Sequence, residues 1–210
     1  MAKPGGLREN ARALGIPEIE FTPCVRDAFE GLAAELVALQ RELEQTRHQL
    51  EDIERAADRD QLLPVLNRRA FVRDLSRQIA SSTRYSTQAS LIYFDLDGFK
   101  RINDRYGHAC GDALLGHFAG ILLSHVRHSD VVGRIGGDEF AILLTHAGRD
   151  LAEKKALALT GVLHAQPAMW ASKPLSLSFS YGILELSPGD TAETAMASAD
   201  AEMYRHKRTR

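Results

Sequence analysis

Cysteine and long apolar runs are scarce in this chain of 210 residues. Its two cysteines, Cys24 and Cys110, are far apart and outside any paired metal-ligand spacing, so we interpret them as buried or idle reduced thiols. No apolar run approaches the length of a membrane span, and residues 1–20 lack the apolar core of a signal peptide. We therefore expect a cytoplasmic protein without a membrane partner.

A strong net charge is lacking as well. Lysine and arginine number 26 against 28 aspartates and glutamates, which leaves a formal charge of -2. Such a balance gives no broad positive surface for nucleic acid, and we expect no nucleic-acid partner. A small phosphorylated substrate stays compatible, because it needs only local positive charge. The length suits one domain of roughly 150 residues with an appendage.

Mostly apolar residues recur at alternating steps of three and four between residues 25 and 57. The positions are Phe29, Leu32, Leu36, Leu39, Leu43, Thr46, Leu50, Ile53 and Ala57. This heptad spacing predicts a coiled-coil dimerisation helix over residues 25–57, in which Glu42 and Arg47 take positions that pair between parallel helices. A single amphipathic helix packed on its own domain is the alternative, although such helices usually carry a wider apolar stripe. Residues 1–24 lack the pattern, and we interpret them as a leader that is either flexible or the remnant of a removed segment.

The remaining residues, 58–210, alternate between helix-like and strand-like patterns. Helical spacing covers residues 71–79, 112–126, 151–163 and 192–207, and strand-like runs cover residues 90–94, 131–135, 140–144 and 175–184. Only residues 136–139 separate two of these runs, which predicts a hairpin. Neighbours joined in this way favour an α+β fold, with helices on a largely antiparallel sheet.

Two acidic pairs follow strand-like runs. Asp95 and Asp97 end one run, and Asp138 and Glu139 stand at the hairpin turn after two glycines. Glycine lets a backbone approach a ligand, because it has no Cβ and adopts positive φ easily. Since Mg²⁺ takes few carboxylates together with substrate phosphates, the two acidic loops are candidates for one metal site that joins a hydroxyl to an α-phosphate. Ordinary turn chemistry with solvated acids remains an equal alternative.

The polar segment 99–112 lies between these loops and leads into a helix. Lys100 suits a phosphate, whereas Asn103 and Asp112 offer the donor and acceptor groups that a guanine edge requires. The alternatives are structural, with Asn103 as a turn residue and Asp112 as a helix N-cap or first-turn acid.

Three ordered motifs together resemble the GGDEF family of diguanylate cyclases. They are the stretches Phe94-Asp95-Leu96-Asp97-Gly98-Phe99-Lys100-Arg101-Ile102-Asn103-Asp104, Gly107-His108 with Gly111-Asp112, and Arg134-Ile135-Gly136-Gly137-Asp138-Glu139-Phe140. Further likeness at residues 67–69, 180–182 and 199–204 extends the resemblance over roughly residues 58–210. It implies a domain like nucleotidyl cyclases and polymerase palms, with a central, mostly antiparallel five-stranded sheet flanked by helices. It also implies that two GTP molecules, one on each domain of a homodimer, are condensed into cyclic di-GMP and two pyrophosphates.

The resemblance also implies roles for individual residues. Asp138 and Glu139 would be catalytic, and Mg²⁺, with Mn²⁺ as the alternative ion, would be held by Asp95, Leu96 and Asp138. The implied GTP-binding residues are Phe99, Lys100, Asn103, Asp112, Gly136, Gly137 and Lys207. Arg127 and Asp130 match an RxxD inhibitory site for the product, cyclic di-GMP, although such a pair three residues apart is common by chance.

Two departures from the family are visible. Leu63-Pro64 stands where Thr-Gly is usual, which predicts an altered junction before the domain. After Lys207 the usual Gly-Arg is incomplete, so we expect either weaker GTP binding or partial substitution by Arg210. Two other functions are compatible with parts of the sequence. One is a GGDEF-like domain that senses GTP or cyclic di-GMP without turnover, and the other is a coiled-coil interaction module, which leaves the three motifs unexplained.

Overall fold

A computed structural model describes residues 22–208, with all their side chains except those of residues 50–56. The chain divides into two compact units, residues 1–57 and residues 58–210. Between residues 22 and 208, no helix is both long and apolar enough to cross a membrane.

Among the described residues, the first unit is one long helix, α1, which spans Pro23–Asp58 and ends at the first residue of the second unit. It begins earlier than the predicted residue 25, because Thr22 accepts a hydrogen bond from the Val25 N–H through its hydroxyl, and proline is favoured at a first helical position. The predicted leader therefore ends before Pro23, and residues 1–21 lie outside the described residues. The seam leucines at positions 32, 36, 39 and 43 are more than half exposed, from 54% at Leu43 to 63% at Leu32.

The second unit contains five helices and six strands within residues 58–208. The helices are α2 (Arg68–Tyr85), α3 (Phe99–Tyr106), α4 (His108–Ser124), α5 (Arg149–Ala165) and α6 (Ala192–Arg208). The strands are β1 (Ala89–Leu96), β2 (Val131–Arg134), β3 (Glu139–Thr145), β4 (Ala168–Trp170), β5 (Lys173–Leu175) and β6 (Phe179–Glu185). This composition confirms the predicted α+β class.

The main sheet has four strands in the order β2-β3-β1-β6, and every neighbouring pair is antiparallel. The expected number of five is wrong for the described residues. Beyond β2 only Leu66 pairs, through a single parallel bridge to Gly133, because the next residue, Asn67, already caps α2 by accepting from the Ala70 N–H. The predicted run 175–184 is also divided, since its start belongs to the separate hairpin β4–β5 and its main part to β6.

Helix α3 is a second difference, because no helix was predicted in the polar segment directly after β1. Gly98 adopts φ 69°, a left-handed conformation that suits glycine, and this allows the chain to turn directly from β1 into α3. Gly107, at φ 83°, then separates α3 from α4.

Alternation along the strands gives the sheet two buried faces. Phe94 of β1 and Phe140 of β3 pack with α4 and α5, whereas Leu91, Tyr93 and Leu143 pack with α2 and α6. Asp95 continues the series of Leu91 and Tyr93, so it lies on the α2 and α6 side at the end of β1. This placement brings the end of α6 to the acidic edge of the sheet.

Candidate active site

The two predicted acidic loops meet at one edge of the sheet. Asp95 is paired with Glu139 in the register of β1 and β3, and the Leu96 N–H donates to the Asp138 carbonyl oxygen at 3.2 Å. Antiparallel pairing therefore holds the hairpin tip beside the end of β1. The sequence alone could not establish this contact.

Negative charge is concentrated at this edge. Burial, followed by the charge of Asp95, raises the pKa of Asp138, and Arg134 and Lys207 only partly oppose this. Burial also raises the pKa of Glu139, with further contributions from Asp200 and Asp95. Both shifts mean that the ionised carboxylates are less stable here than in water. A bound cation would relieve the repulsion between these carboxylates.

Lys207 already supplies one positive charge to the cluster. Its Nζ, near the end of α6, donates to Asp95 Oδ1 at 2.5 Å, and this bond raises the pKa of Lys207. The residues that the structure describes contain no group of three or more His, Cys, Asp or Glu side chains arranged to hold a metal. Asp95 and Asp138 nevertheless fit Mg²⁺, which needs only one or two carboxylates when substrate phosphates supply further oxygens.

The glycines of the hairpin do not adopt the positive φ that glycine permits. Among the described glycines, positive φ occurs at Gly98, Gly107 and Gly189, and therefore not at Gly136 or Gly137. A Cβ at Gly136 would lie 2.2 Å from Glu139 Oε2, so a side chain there would displace this carboxylate. At Gly137 a Cβ would meet nothing within 4 Å.

Arg134 stabilises the turn between β2 and β3. No role was assigned to it from the sequence. Its Nη2 donates to the Gly137 carbonyl at 2.8 Å, and its Nη1 contacts Asp60 Oδ1 at 3.1 Å. Asp60 also accepts from the Leu62 and Leu63 N–H groups, and Leu63 is buried. The junction that departs from the family is thus an ordered turn that supports the hairpin.

Tyr93 is a further residue that sequence reasoning missed. Its hydroxyl lies near Glu139, and burial, followed by the charges of Glu139 and Asp200, raises the pKa of Tyr93. Tyr93 and Glu139 line a cavity of about 550 Å³ between the sheet, α2 and α6, with Arg68 and Asp200 at its polar wall. The signal was present in the sequence, because Tyr93 precedes Asp95 by two residues and so faces the same side.

Asp97 was expected to share a metal site with Asp95, but its carboxylate is hydrogen-bonded to residues at the start of β6. Its carboxylate accepts from the hydroxyls of Ser178 and Ser180, each at 2.8 Å, and its N–H donates to the Ser178 carbonyl. These bonds attach the end of β1 to the start of β6. The carboxylate of Asp97 is therefore a structural anchor, whereas that of Asp95 is available to the site.

The two guanine candidates lie on adjacent helices, and neither structural alternative for them is correct. Asn103 belongs to α3 rather than to a turn, and Asp112 lies beyond the first turn of α4, where its side chain is exposed. Asn103 Oδ1 is buried without a hydrogen-bond partner among the described residues. It lies only 1.9 Å from where a Cβ of Gly111 would be, and the Phe99 ring closes the same spot. Asn103 Oδ1 therefore lacks the donor that a buried acceptor ordinarily has.

Lys100 is exposed in the first turn of α3, and no side chain caps this helix at Gly98. The N–H groups at the start of α3 are consequently open to an anion. Arg127 and Asp130, the predicted inhibitory pair, lie elsewhere, before β2. Asp130 accepts from the Arg127 N–H at 2.9 Å and from the Thr145 N–H at 3.2 Å, and both residues border a cavity of about 530 Å³.

The family model described as "Diguanylate cyclase, GGDEF domain" matches residues 57–210. The chain belongs to this family. The GGDEF motif itself is the hairpin tip from Gly136 to Phe140, and the resemblance inferred from the three motifs is confirmed.

Relatives of known name agree with this membership. The GGDEF chain is 32% identical over 188 residues to the diguanylate cyclase DgcP of Pseudomonas aeruginosa, which covers 88% of this chain and 27% of DgcP. It is 34% identical over 151 residues to the diguanylate cyclase DgcS of Shewanella oneidensis, covering 70% of this chain and 49% of DgcS. The chain thus spans less than half the length of either relative.

A solved structure agrees with both units. The crystal structure of the coiled coil and GGDEF domain of DgcB from Caulobacter crescentus, in complex with c-di-GMP, has a TM-score of 0.75 and 28% identity. It covers 85% of this chain and 95% of that chain. Helix α1 therefore corresponds in kind to the coiled-coil helix expected before a GGDEF domain.

Proposed function

We propose that this GGDEF domain condenses two GTP molecules into cyclic di-GMP and two pyrophosphates. The observation that carries the proposal is the meeting of Asp95 and Asp138 beside Lys207, at the end of the strand that leads into α3. Two carboxylates and an ammonium group provide the charges that a metal-bound triphosphate needs. GTP is a cytoplasmic nucleotide, so we place the activity in the cytoplasm.

Different groups around the acidic edge would bind different parts of the substrate. Asn103 and Asp112 would bind guanine, because the buried and unsatisfied Asn103 Oδ1 can accept from a guanine N–H. The open N–H groups of Phe99 and Lys100 at the start of α3 suit the phosphates, as does the ammonium group of Lys100. Lys207 would leave Asp95 and contact the terminal phosphates, while the backbone of Gly136 and Gly137 borders the substrate.

A magnesium ion, or manganese as the alternative, would be held by Asp95, Asp138 and the backbone carbonyl of Leu96. When bound, it neutralises the phosphates and strengthens the attacking 3′-hydroxyl as a nucleophile. Glu139 is the candidate for accepting the hydroxyl proton, since a raised pKa makes its carboxylate a stronger base than that of an ordinary glutamate. The nearby hydroxyl of Tyr93 would donate to this carboxylate and hold it in place.

Product analysis with a matched pair of variants tests the activity. The protein is incubated with GTP and Mg²⁺, and cyclic di-GMP and pyrophosphate are measured for the wild type, for Asp138→Asn and for Asp150→Asn. Asp150 is an exposed acid in the first turn of α5 and serves as the control. We expect at least a 100-fold lower rate for Asp138→Asn and an unchanged rate for the control. Tight GTP or cyclic di-GMP binding without any product in the wild type would instead favour the sensor function.

We also propose that α1 makes the protein a homodimer, because each half of the reaction needs a GTP bound by another copy. The exposed leucines at positions 32, 36, 39 and 43 of α1 form a heptad seam that a second copy would cover. Holding two catalytic domains on one coiled coil raises the effective concentration of each domain near the other.

Charges introduced on and off the seam test this dimer. Leu36→Asp combined with Leu43→Asp should yield monomers by sedimentation and lose activity at low protein concentration. Val37→Asp adds the same charge one residue off the seam, at a side chain that is 43% exposed, and should remain dimeric. A chain that begins near Asp58 and retains full activity at low concentration would refute the proposal.

Product inhibition is the third part of the proposal. Arg127 is exposed at the rim of the 530 Å³ cavity, where its guanidinium can bind phosphate or guanine in a bidentate manner. Asp130 is a poor site for mutation, because its carboxylate also holds the Arg127 and Thr145 N–H groups. We expect Arg127→Ala to relieve inhibition by added cyclic di-GMP, with Arg84→Ala, at an exposed arginine in the last turn of α2, as the control. Equal inhibition of Arg127→Ala and the wild type would contradict the assignment.

A further inference from the structure

The end of α6 is fixed to strand β6 at two positions. At Gly182 the helix lies so close that a Cβ would stand 2.1 Å from the Ala199 carbonyl oxygen and 2.4 Å from the Met203 nitrogen. One turn later, His206 Nδ1 accepts a hydrogen bond from the Tyr181 N–H at 3.2 Å, and the two rings lie 4.6 Å apart. Because Nδ1 accepts this bond, the neutral imidazole carries its proton on Nε2.

The second attachment lies next to the lysine of the site. Lys207 follows His206 directly, and its Nζ reaches Asp95 Oδ1 at 2.5 Å. On the sheet, Asp95 is paired with Ser180, the neighbour of Tyr181, in the register of β1 and β6. The His206 contact and the Lys207 contact are therefore made to adjacent positions of the sheet edge.

Helix ends fray unless they are held, because their last carbonyl and amide groups lack intrahelical partners. Lys207 is the residue before the end of α6 at Arg208, and its long side chain has many rotamers. Without an attachment at His206, the last turn of α6 and the ammonium group of Lys207 would sample many positions. Tyr181 is itself held by its ring contact with Phe179 in the core, at 6.1 Å between centroids.

We propose that His206 is a positioning residue, which holds the last turn of α6 on Tyr181 so that Lys207 is directed at the triphosphate of the bound nucleotide. This inference rests on the proposed function, in which Lys207 moves from Asp95 to the terminal phosphates. Those phosphates leave as pyrophosphate, and Lys207 contacts them both before and during the reaction. Loss of such a contact weakens substrate binding more than it slows turnover.

Steady-state kinetics of the 210-residue chain with His206 variants test the proposal. His206→Phe keeps a ring against Tyr181 but removes the acceptor, and we expect its KM for GTP to rise about 3- to 10-fold with kcat within about twofold. His206→Asn restores an acceptor at a similar distance and should recover most of the loss. His164→Phe, at an exposed histidine in the last turn of α5, is the matched control and should leave KM unchanged. Binding of a non-hydrolysable GTP analogue by calorimetry gives the same comparison without turnover.

A double-mutant cycle with Lys207→Met separates the inference from the function on which it rests. If His206 acts through Lys207, then His206→Phe raises KM in the wild type but adds little in the Lys207→Met background. An unchanged KM for His206→Phe beside a raised KM for Lys207→Met would overturn the positioning role alone. An unchanged KM for Lys207→Met would overturn the phosphate role of Lys207 as well. Additive effects, accompanied by a lower Tm for His206→Phe, would indicate that His206 only stabilises the fold.

Discussion

Replacing Gly111 with alanine should impair GTP binding while the domain remains folded. The new methyl group would lie 1.9 Å from Asn103 Oδ1 and 3.0 Å from Phe99 Cζ, against about 3.4 Å for ordinary contact. The Asn103 amide is the far end of a flexible side chain, so it can move away by about 1.5 Å at small cost in stability. The same displacement takes its oxygen out of hydrogen-bonding range of a guanine held on α4.

The expected magnitude follows from the bond that is lost. Without nucleotide, Asn103 Oδ1 is buried and has no partner among the described residues, so guanine binding supplies its donor. A neutral hydrogen bond contributes about 0.5–1.5 kcal/mol, and a buried acceptor left unpaired costs about 1–3 kcal/mol. We therefore expect KM for GTP to rise roughly 10-fold, because about 1.4 kcal/mol corresponds to a factor of ten.

Gly116→Ala, on the same helix, is the control for this change. A Cβ at Gly116 meets nothing within 4 Å, so alanine there should only improve helix propensity, by up to about 1 kcal/mol. The assay measures KM from pyrophosphate release, together with Tm for each variant. Equal KM values for Gly111→Ala and Gly116→Ala, both folded, would refute the assignment of Asn103 to guanine.

Three other perturbations test the same edge of the sheet. Asp138→Asn should raise Tm in metal-free buffer near pH 7, because a raised carboxyl pKa means that the native state loses stability as pH rises through that pKa. The difference in Tm between the variant and the wild type should vanish in acid. The same difference near pH 7 and in acid would contradict this. Gly182→Ala should lower Tm by several degrees through its clash with the α6 backbone, whereas Gly161→Ala, in open space on α5, should not; similar melting curves would disprove the close packing. Tyr93→Phe should reduce kcat about 10-fold by releasing Glu139, and an unchanged kcat would exclude that role of the hydroxyl.

Much of the fold was predictable because its elements are locally encoded. The helical spacing of Phe71, Leu75 and Ile79 corresponds to α2, where all three side chains are buried. The glycine hairpin between two apolar runs corresponds to the turn between β2 and β3. Helix α3 was missed because it is short and mostly polar, with Phe99 as its single buried residue, although Phe99, Ile102 and Tyr106 do have helical spacing.

The site was predictable only in part. Residue types and spacing made Asp95, Asp138, Glu139, Asn103 and Asp112 candidates, and the family resemblance favoured functional roles for them over the structural alternatives. The different behaviour of neighbouring acids was not predictable, because it depends on partners distant in sequence. Asp97 is bound by Ser178 and Ser180, more than 80 residues away, whereas Asp95 meets Lys207 at a separation of 112 residues.

By itself the sequence determined the α+β class, the heptad helix and the order of the family motifs, because periodicity and glycine turns act over a few residues. Only the tertiary structure decided which groups share one edge. Antiparallel pairing placed the hairpin tip against β1. The close approach of α6 at Gly182 brought Lys207, which is distant in sequence, to Asp95. Such contacts depend on strand register and helix packing, whose energies are summed over the whole core rather than encoded in any one segment.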